Sequence, residues 1–271
     1  MIMEEPLIQI NKKLYKITDT INRKPLRKTY MVRFVIRCII LAVSILLYFI
    51  HPAQLAISVD TDWLAPFHSL SFVHFVWLIW VIDMVMQLIP LQKHIPIGSQ
   101  KNFSIHFRPI LERLSDRKAI MKHIKMLSAR AYKVFLLWTA MIVAIGIAYH
   151  FEVLEPLHLY LIAATFYVCD LICVLFWCPF RVFIMKNKCC TTCRIFNWDH
   201  LMMFSPMIFL RSLFAWSLII LAIIIWAIWE LTAFLYPERF IMHTNSRLKC
   251  SECTDRLCRR PRGDKIEPSM E

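Results

Sequence analysis

Residues 38–92 and 134–180 of this chain contain no lysine or arginine. Apolar runs of about 20 residues recur within and around them, the length a helix needs to cross a ~30 Å hydrocarbon core. A backbone in lipid must satisfy its own hydrogen bonds, and for runs of this length only helices do so. The pattern predicts an all-α, polytopic transmembrane helix bundle. Spans are expected at residues 31–50, 69–90, 133–150 and 158–178, with a last apolar run at 207–236. The 58% share of hydrophobic residues agrees with that class and not with an ordinary soluble domain.

The charges that are present orient the chain. Lys93, Lys101, Arg108, Arg113, Arg117, Lys118, Lys122, Lys125 and Arg130 crowd the loop between the second and third spans. Basic loops stay in the cytoplasm, which puts the N-terminus, the 91–132 loop and the 179–196 segment inside. The net charge of +13 is thereby explained as membrane orientation, with a bacterial plasma membrane as the expected home. No basic stripe carries the interleaved aromatics of a nucleic-acid surface. The polar, charged first thirty residues argue against a cleavable signal peptide.

Two stretches suggest amphipathic surface helices. Leu7, Ile10, Leu14, Ile17 and Ile21 form one apolar stripe before Pro25, with Lys12, Lys13 and Lys16 on the other faces. Such a helix lies in the interface against anionic headgroups, or packs on the protein's own loop. Ile120, Ile124, Leu127 and Ala131 suggest a second one inside the long loop. The organisation expected is an amphipathic segment at 1–30, a bundle at 31–236 and a basic, cysteine-containing tail at 237–271.

Six of the ten cysteines lie in two polar clusters. The first holds Cys189, Cys190 and Cys193, followed by Asn197-Trp198-Asp199-His200. The second holds Cys250, Cys253 and Cys258. Each contains a C-x-x-C pair, a spacing that turns two thiolates toward one tetrahedral ion. If both clusters face the cytoplasm, Cys190, Cys193, Cys250 and Cys253 form a Zn–thiolate or iron–sulfur centre, with Cys189, Cys258 and His200 as alternate ligands. That requires an extra crossing at residues 195–213, short, interrupted by Pro206 and ended by a weak Arg211-Ser212 turn, as a tilted span or a broken segment packed against protein, and makes six membrane segments. With five segments the tail lies outside, and the clusters read as thiol–disulfide chemistry favoured by basic neighbours. Cys38, Cys169, Cys173 and Cys178 read as small packing residues, with a minor ligand role left open for Cys169 and Cys173.

Ionisable residues inside spans are costly and are paired or functional. Asp83 and Asp170 lie on spans of the same direction, each about 10–12 Å from the inner boundary. Arg37 is at a similar depth, and Glu230 joins them if the last span runs inward. They are expected to form a structural Arg37–Asp ion pair, or a cation or proton site with at least one carboxylate raised by desolvation or by the other's charge. The outer loops add His51, Asp60, Asp62 and His68, then His150, Glu152, Glu155 and His158. They are interface residues, or outer ligands for a metal cation.

No phosphate-cradling glycine loop, G-x-S-x-G or H-E-x-x-H is present. Two function classes stand on these residues. One is a non-enzymatic membrane protein with a cytoplasmic thiolate centre in a scaffold, sensor or electron-transfer role. The other is a small metal-cation transporter or channel using outer acids and histidines, the buried carboxylates and the inner thiolates. A thiol–disulfide enzyme, or a headgroup enzyme using Asp199 and His200, ranks third.

Overall fold

The computed structural model describes residues 26–53, 55, 71–89, 101–110, 117–187 and 189–249. The amphipathic N-terminal segment, Asp60, Asp62, His68, Cys250, Cys253 and Cys258 lie outside the described residues. Among those described the chain is all helical, without strands.

Among the described residues six α-helices carry the fold: α1 Leu26–Ile50, α2 Phe72–Leu88, α3 Arg117–His150, α4 Pro156–Leu175, α5 Asp199–Phe204 and α6 Leu213–Leu235. The α1, α3, α4 and α6 helices are long and apolar enough to cross a membrane; α2 is apolar but has 17 residues. At 1.5 Å per residue α2 is about 26 Å long. Val35, Ile39, Leu46, Leu136, Val143, Ile223, Leu231 and Phe234 are exposed on these helices, as lipid contact would require.

Local chemistry sets the helix ends. At α2 the backbone N–H of Ser71 donates to His74 Nδ1 at 3.0 Å, and at α4 that of Glu155 donates to His158 Nδ1 at 3.0 Å. Both histidines thus occupy the third helical position and satisfy an orphan donor, as a glutamate does in a capping box. Pro156 starts α4, where a missing N–H costs nothing. Ser212 Oγ accepts from Ala215 N at the start of α6, and Pro237 follows its end. Between α3 and α4 Glu152 takes a left-handed conformation, φ 59°, which reverses the chain within a short connection.

The α3 helix departs from the sequence expectation. The amphipathic stretch at 120–131 and the span at 133–150 are one 34-residue helix. No proline or glycine interrupts residues 117–145, so nothing turns the chain onto a surface. At about 51 Å the helix exceeds the hydrocarbon thickness, leaving its basic first turns beyond it.

The segment at 195–213 takes the second of its two expected forms, a broken segment packed against protein. It forms a 3-10 turn at Phe196–Trp198, then α5, then a 3-10 stretch at Ser205–Phe209. This broken rod is enclosed: Phe204, Met207 and Leu210 are each 0% exposed. It runs alongside α6 in the opposite direction. Trp198 Nε1 donates to Glu230 near the end of α6, whereas Phe209 lies against Gly146 near the end of α3. Trp138 Nε1 holds its middle by donating to Ser205 Oγ at 2.9 Å. Irregular backbone of this kind is tolerated at membrane depth only inside protein.

Trp80 of α2 is the centre of the core, fully buried with its ring 5.0–6.3 Å from those of Tyr160, Tyr167, Phe204 and Phe214. One ring system therefore ties α2, α4, α5 and α6 together. Ser44 Oγ and Tyr160 Oη, 3.0 Å apart, join α1 to α4, and Trp77 Nε1 donates to Ser217 Oγ to join α2 to α6.

Candidate functional site: a thiol cluster beside a buried ionic cluster

Three chain segments converge at one end of the bundle. Residues 101–110 and 237–249 clasp each other through Ile110 N–H to Thr244 O, Ser246 N–H to Arg108 O, and an isolated antiparallel bridge between Pro109 and Asn245. Asn245 is fully buried; its Nδ2 donates to Arg239 O at 2.9 Å, and its Oδ1 accepts from Arg247 N and Arg108 N. The third segment carries the first cysteine cluster. Thr192, Cys193 and Arg194 line one small cavity with Asn102, Leu127, Phe240 and Leu248. The described part of the tail is thus packed onto the body beside Cys193, two positions before Cys250 begins the second cluster.

This end is fastened to α6 by a fork. Arg194 Nη1 and Nη2 donate to the two carboxylate oxygens of Glu230 at 2.7 and 2.6 Å, and Trp198 Nε1 donates to the same group at 2.6 Å. Such a bidentate, charge-assisted pair is directional and strong. Glu230 therefore does not join Asp83 and Asp170. Its depth along α6 was legible, but the competing partner, Arg194, belongs to a different part of the chain.

The cysteines divide differently from the sequence expectation. Cys178 is buried, and its sulfur accepts a hydrogen bond from the Arg181 N–H at 3.4 Å, while the Cys190 thiol donates to Cys173 O at 3.5 Å. The neighbouring thiols, Cys173 first and then Cys190, pull the Cys178 thiol well below its ordinary range. Cys190 moves the other way, because of the neighbouring Cys178 and because it is buried. Burial pushes Cys193 up to about 11. Cys173 and Cys178, read as packing residues, thus belong to the thiol cluster. Only the fold brings them to Cys190, through the turn Phe180–Ile184 and the left-handed Lys186. Among the described residues no three His, Cys, Asp or Glu side chains stand ready to hold a metal ion.

The second cluster lies one turn along α4. Arg37 Nη2 donates to Asp83 Oδ2 at 2.7 Å and Nη1 to Asp170 Oδ2 at 2.8 Å, with Tyr167 O also accepting at 2.7 Å. The guanidinium lies 3.8 Å from the centroid of the Tyr167 ring, and the Tyr167 hydroxyl donates to Asp83. The three charges that were expected to meet do so, on α1, α2 and α4. Asp199 and His200 of α5 lie within electrostatic reach of Asp83 and Asp170. His200 Nδ1 is 3.0 Å from Gln87 Oε1 and 3.2 Å from Asp199 Oδ1, while Gln87 Nε2 donates to Asp199. His200 thus sits buried in the ionic cluster. Gln87 was missed by sequence reasoning; a glutamine near the end of an apolar span was the available signal.

The connections between α1 and α2 and between α3 and α4 hold no comparable arrangement among the described residues. His158 caps α4, and its Nε2 lies 3.1 Å from Tyr48 Oη.

Compared with protein-family models, curated proteins and solved structures, the chain matches none. The class defined by the fold is an all-helical protein with four membrane-length apolar helices, carrying a thiol cluster and a buried ionic cluster.

Proposed function

We propose that the chain is a multi-pass membrane protein carrying a thiolate metal centre at its cytoplasmic end. It has six membrane segments, α1 to α6 with the broken rod around α5 as the fifth. The N-terminus, the basic 91–132 loop and the tail all face the cytoplasm. The observation that carries this reading is the cavity shared by Thr192, Cys193, Arg194 and Leu248. Cys250 follows Leu248 by two positions, which keeps the second C-x-x-C within chain reach of the first. Cys190, Cys193, Cys250 and Cys253 are then the ligands, with Cys178 as the sulfur added by the fold and Cys189 and Cys258 in reserve. A closed set of four thiolates holds Zn structurally or an iron–sulfur cluster that moves electrons, and leaves no open position for catalysis.

Metal quantification with an absorption spectrum on protein purified without chelator tests this. About one Zn, or one visible-absorbing cluster, per chain is the expected result, lost as pH falls because thiolates bind only deprotonated. Cys190→Ser and Cys253→Ser should each abolish loading, and Cys38→Ser should not. Protein containing neither Zn nor Fe defeats the reading; a Cys250–Cys253 disulfide in its place indicates thiol redox chemistry. The convergence of Asp83 and Asp170 on Arg37 supports a second reading, a small cation carrier, which ion flux in proteoliposomes would reveal.

A further inference from the structure

Arg211 is the one lysine or arginine between Arg194 and Arg239. It follows the broken rod and lies at the end of the bundle opposite the basic loop, where α3 stops and α4 and α6 start. With Gly146, Tyr149, His150 and Phe209 it lines an open cavity of about 650 Å³. That volume falls within the usual range of small-ligand sites. The Phe209 ring packs on the backbone of Gly146, and the Tyr149 ring lies 6.3 Å from it.

The fold makes no use of the cation in this cavity. Arg211 is exposed and engages in no hydrogen bond or ion pair among the described residues. The carbonyls at the end of α3 do not claim it. Those of Ile147, Ala148 and Tyr149 accept instead from the N–H groups of Phe151, Glu152, Val153 and Leu154. The α6 helix begins two residues beyond Arg211, at Leu213, and its N-terminal dipole adds positive potential there.

Apolar surface leads away from the same place. Val143, Ile147 and His150 recur at steps of four and three on one face of α3, and Val143 and Ile147 are both about half exposed. The strip runs about 10 Å from His150 toward the middle of the helix. On the rod, Ile208 is exposed beside Phe209. A soluble anion would engage the cation and leave this strip bare, whereas a phospholipid covers both. Arginine grips phosphate oxygens through two parallel N–H bonds, and the Tyr149 hydroxyl and the His150 ring offer further donors.

We propose that the Arg211 cavity binds one phospholipid of the leaflet at this end of the bundle. Arg211 holds the headgroup phosphate, and an acyl chain lies along Val143 and Ile147. A lipid of net charge −1 matches the single fixed positive charge of the cavity. This inference rests on insertion of the apolar helices in a membrane and not on a metal at the cysteines.

The test is native mass spectrometry of the full chain in an uncharged detergent, with three probes. Phosphatidylglycerol has both phosphate and chains, diacylglycerol only the chains, and inorganic phosphate only the anion. One phosphatidylglycerol per chain should remain bound, and neither of the other two should bind at the same concentration. Arg211→Gln should weaken phosphatidylglycerol binding by about tenfold or more, the effect of one hydrogen bond to a charged group. Lys122→Gln, at an exposed position near the far end of α3, should leave it unchanged. Undiminished binding by Arg211→Gln, or an equal loss in Lys122→Gln, overturns the proposal. Inorganic phosphate binding as tightly as the lipid also overturns it, in favour of a soluble anion. On the native chain, phosphatidylglycerol with a photoreactive headgroup should cross-link within residues 146–150 or 208–211. Cross-links confined to other residues would defeat the assignment without any variant.

Discussion

At the scale of single residues, Arg37 and Asn245 each hold elements that are distant in sequence. Arg37 serves two carboxylates at once, so replacing either by its amide removes one charge-assisted hydrogen bond and leaves Arg37 paired with the other. Asp83→Asn and Asp170→Asn are each expected to cost about 1.5–3 kcal/mol, the range for a hydrogen bond to a charged group. The double mutant should cost clearly less or more than the sum, because both lose the same partner. Denaturation in detergent measures this, and additivity within about 0.5 kcal/mol would show that the two acids act independently. Asn245→Ala removes a fully buried amide that joins the 101–110 loop to the tail. Leaving Arg239 O and Arg108 N without this partner should cost about 1–3 kcal/mol. Amide exchange confined to residues 101–110 and 237–249 is the expected signature. Protection there equal to wild type would count against the clasp.

At the scale of elements, the broken rod at 199–209 depends on a close approach to α3. A Cβ at Gly146 would run into the Phe209 ring, so this glycine is required by contact and not by its backbone angles. Gly146→Leu should overpack the site and cost about 1–3 kcal/mol, read as a lower Tm in detergent. Unchanged stability would mean that Phe209 can swing outward past Tyr149 and His150. The rod is also where sequence reading was weakest. Its apolar residues suggested a tilted span or a broken segment packed against protein, with Pro206 as the interruption. The broken form fits Pro206, which stands in the first turn of a 3-10 stretch where no backbone donor is needed. Similarly, Arg194 in sequence is one more basic residue beside a cysteine. Only when 190–198 folds against α6 does it become the partner of Glu230.

At the scale of the whole molecule, one end collects the basic loop, both described flanks of the cysteine clusters and the start of the tail. The proposed topology makes Cys250, Cys253 and Cys258 cytoplasmic. An impermeant thiol reagent applied to intact cells after a permeant chelator should therefore label them only upon lysis. Labelling before lysis would place the tail outside and remove the shared centre. The sequence by itself determined the helical class, the four long apolar helices, and the depth that lets Arg37, Asp83 and Asp170 meet. Those properties depend on local composition and on rise per residue, which any apolar helix obeys. Tertiary structure alone decided that α3 is continuous, that Glu230 belongs to Arg194, that Cys178 lies between Cys173 and Cys190, and that His200 faces the buried acids. Each of these is a choice between partners far apart in the chain. Helical periodicity tells which face a side chain shares with its neighbours, and carries no information on which other helix meets that face.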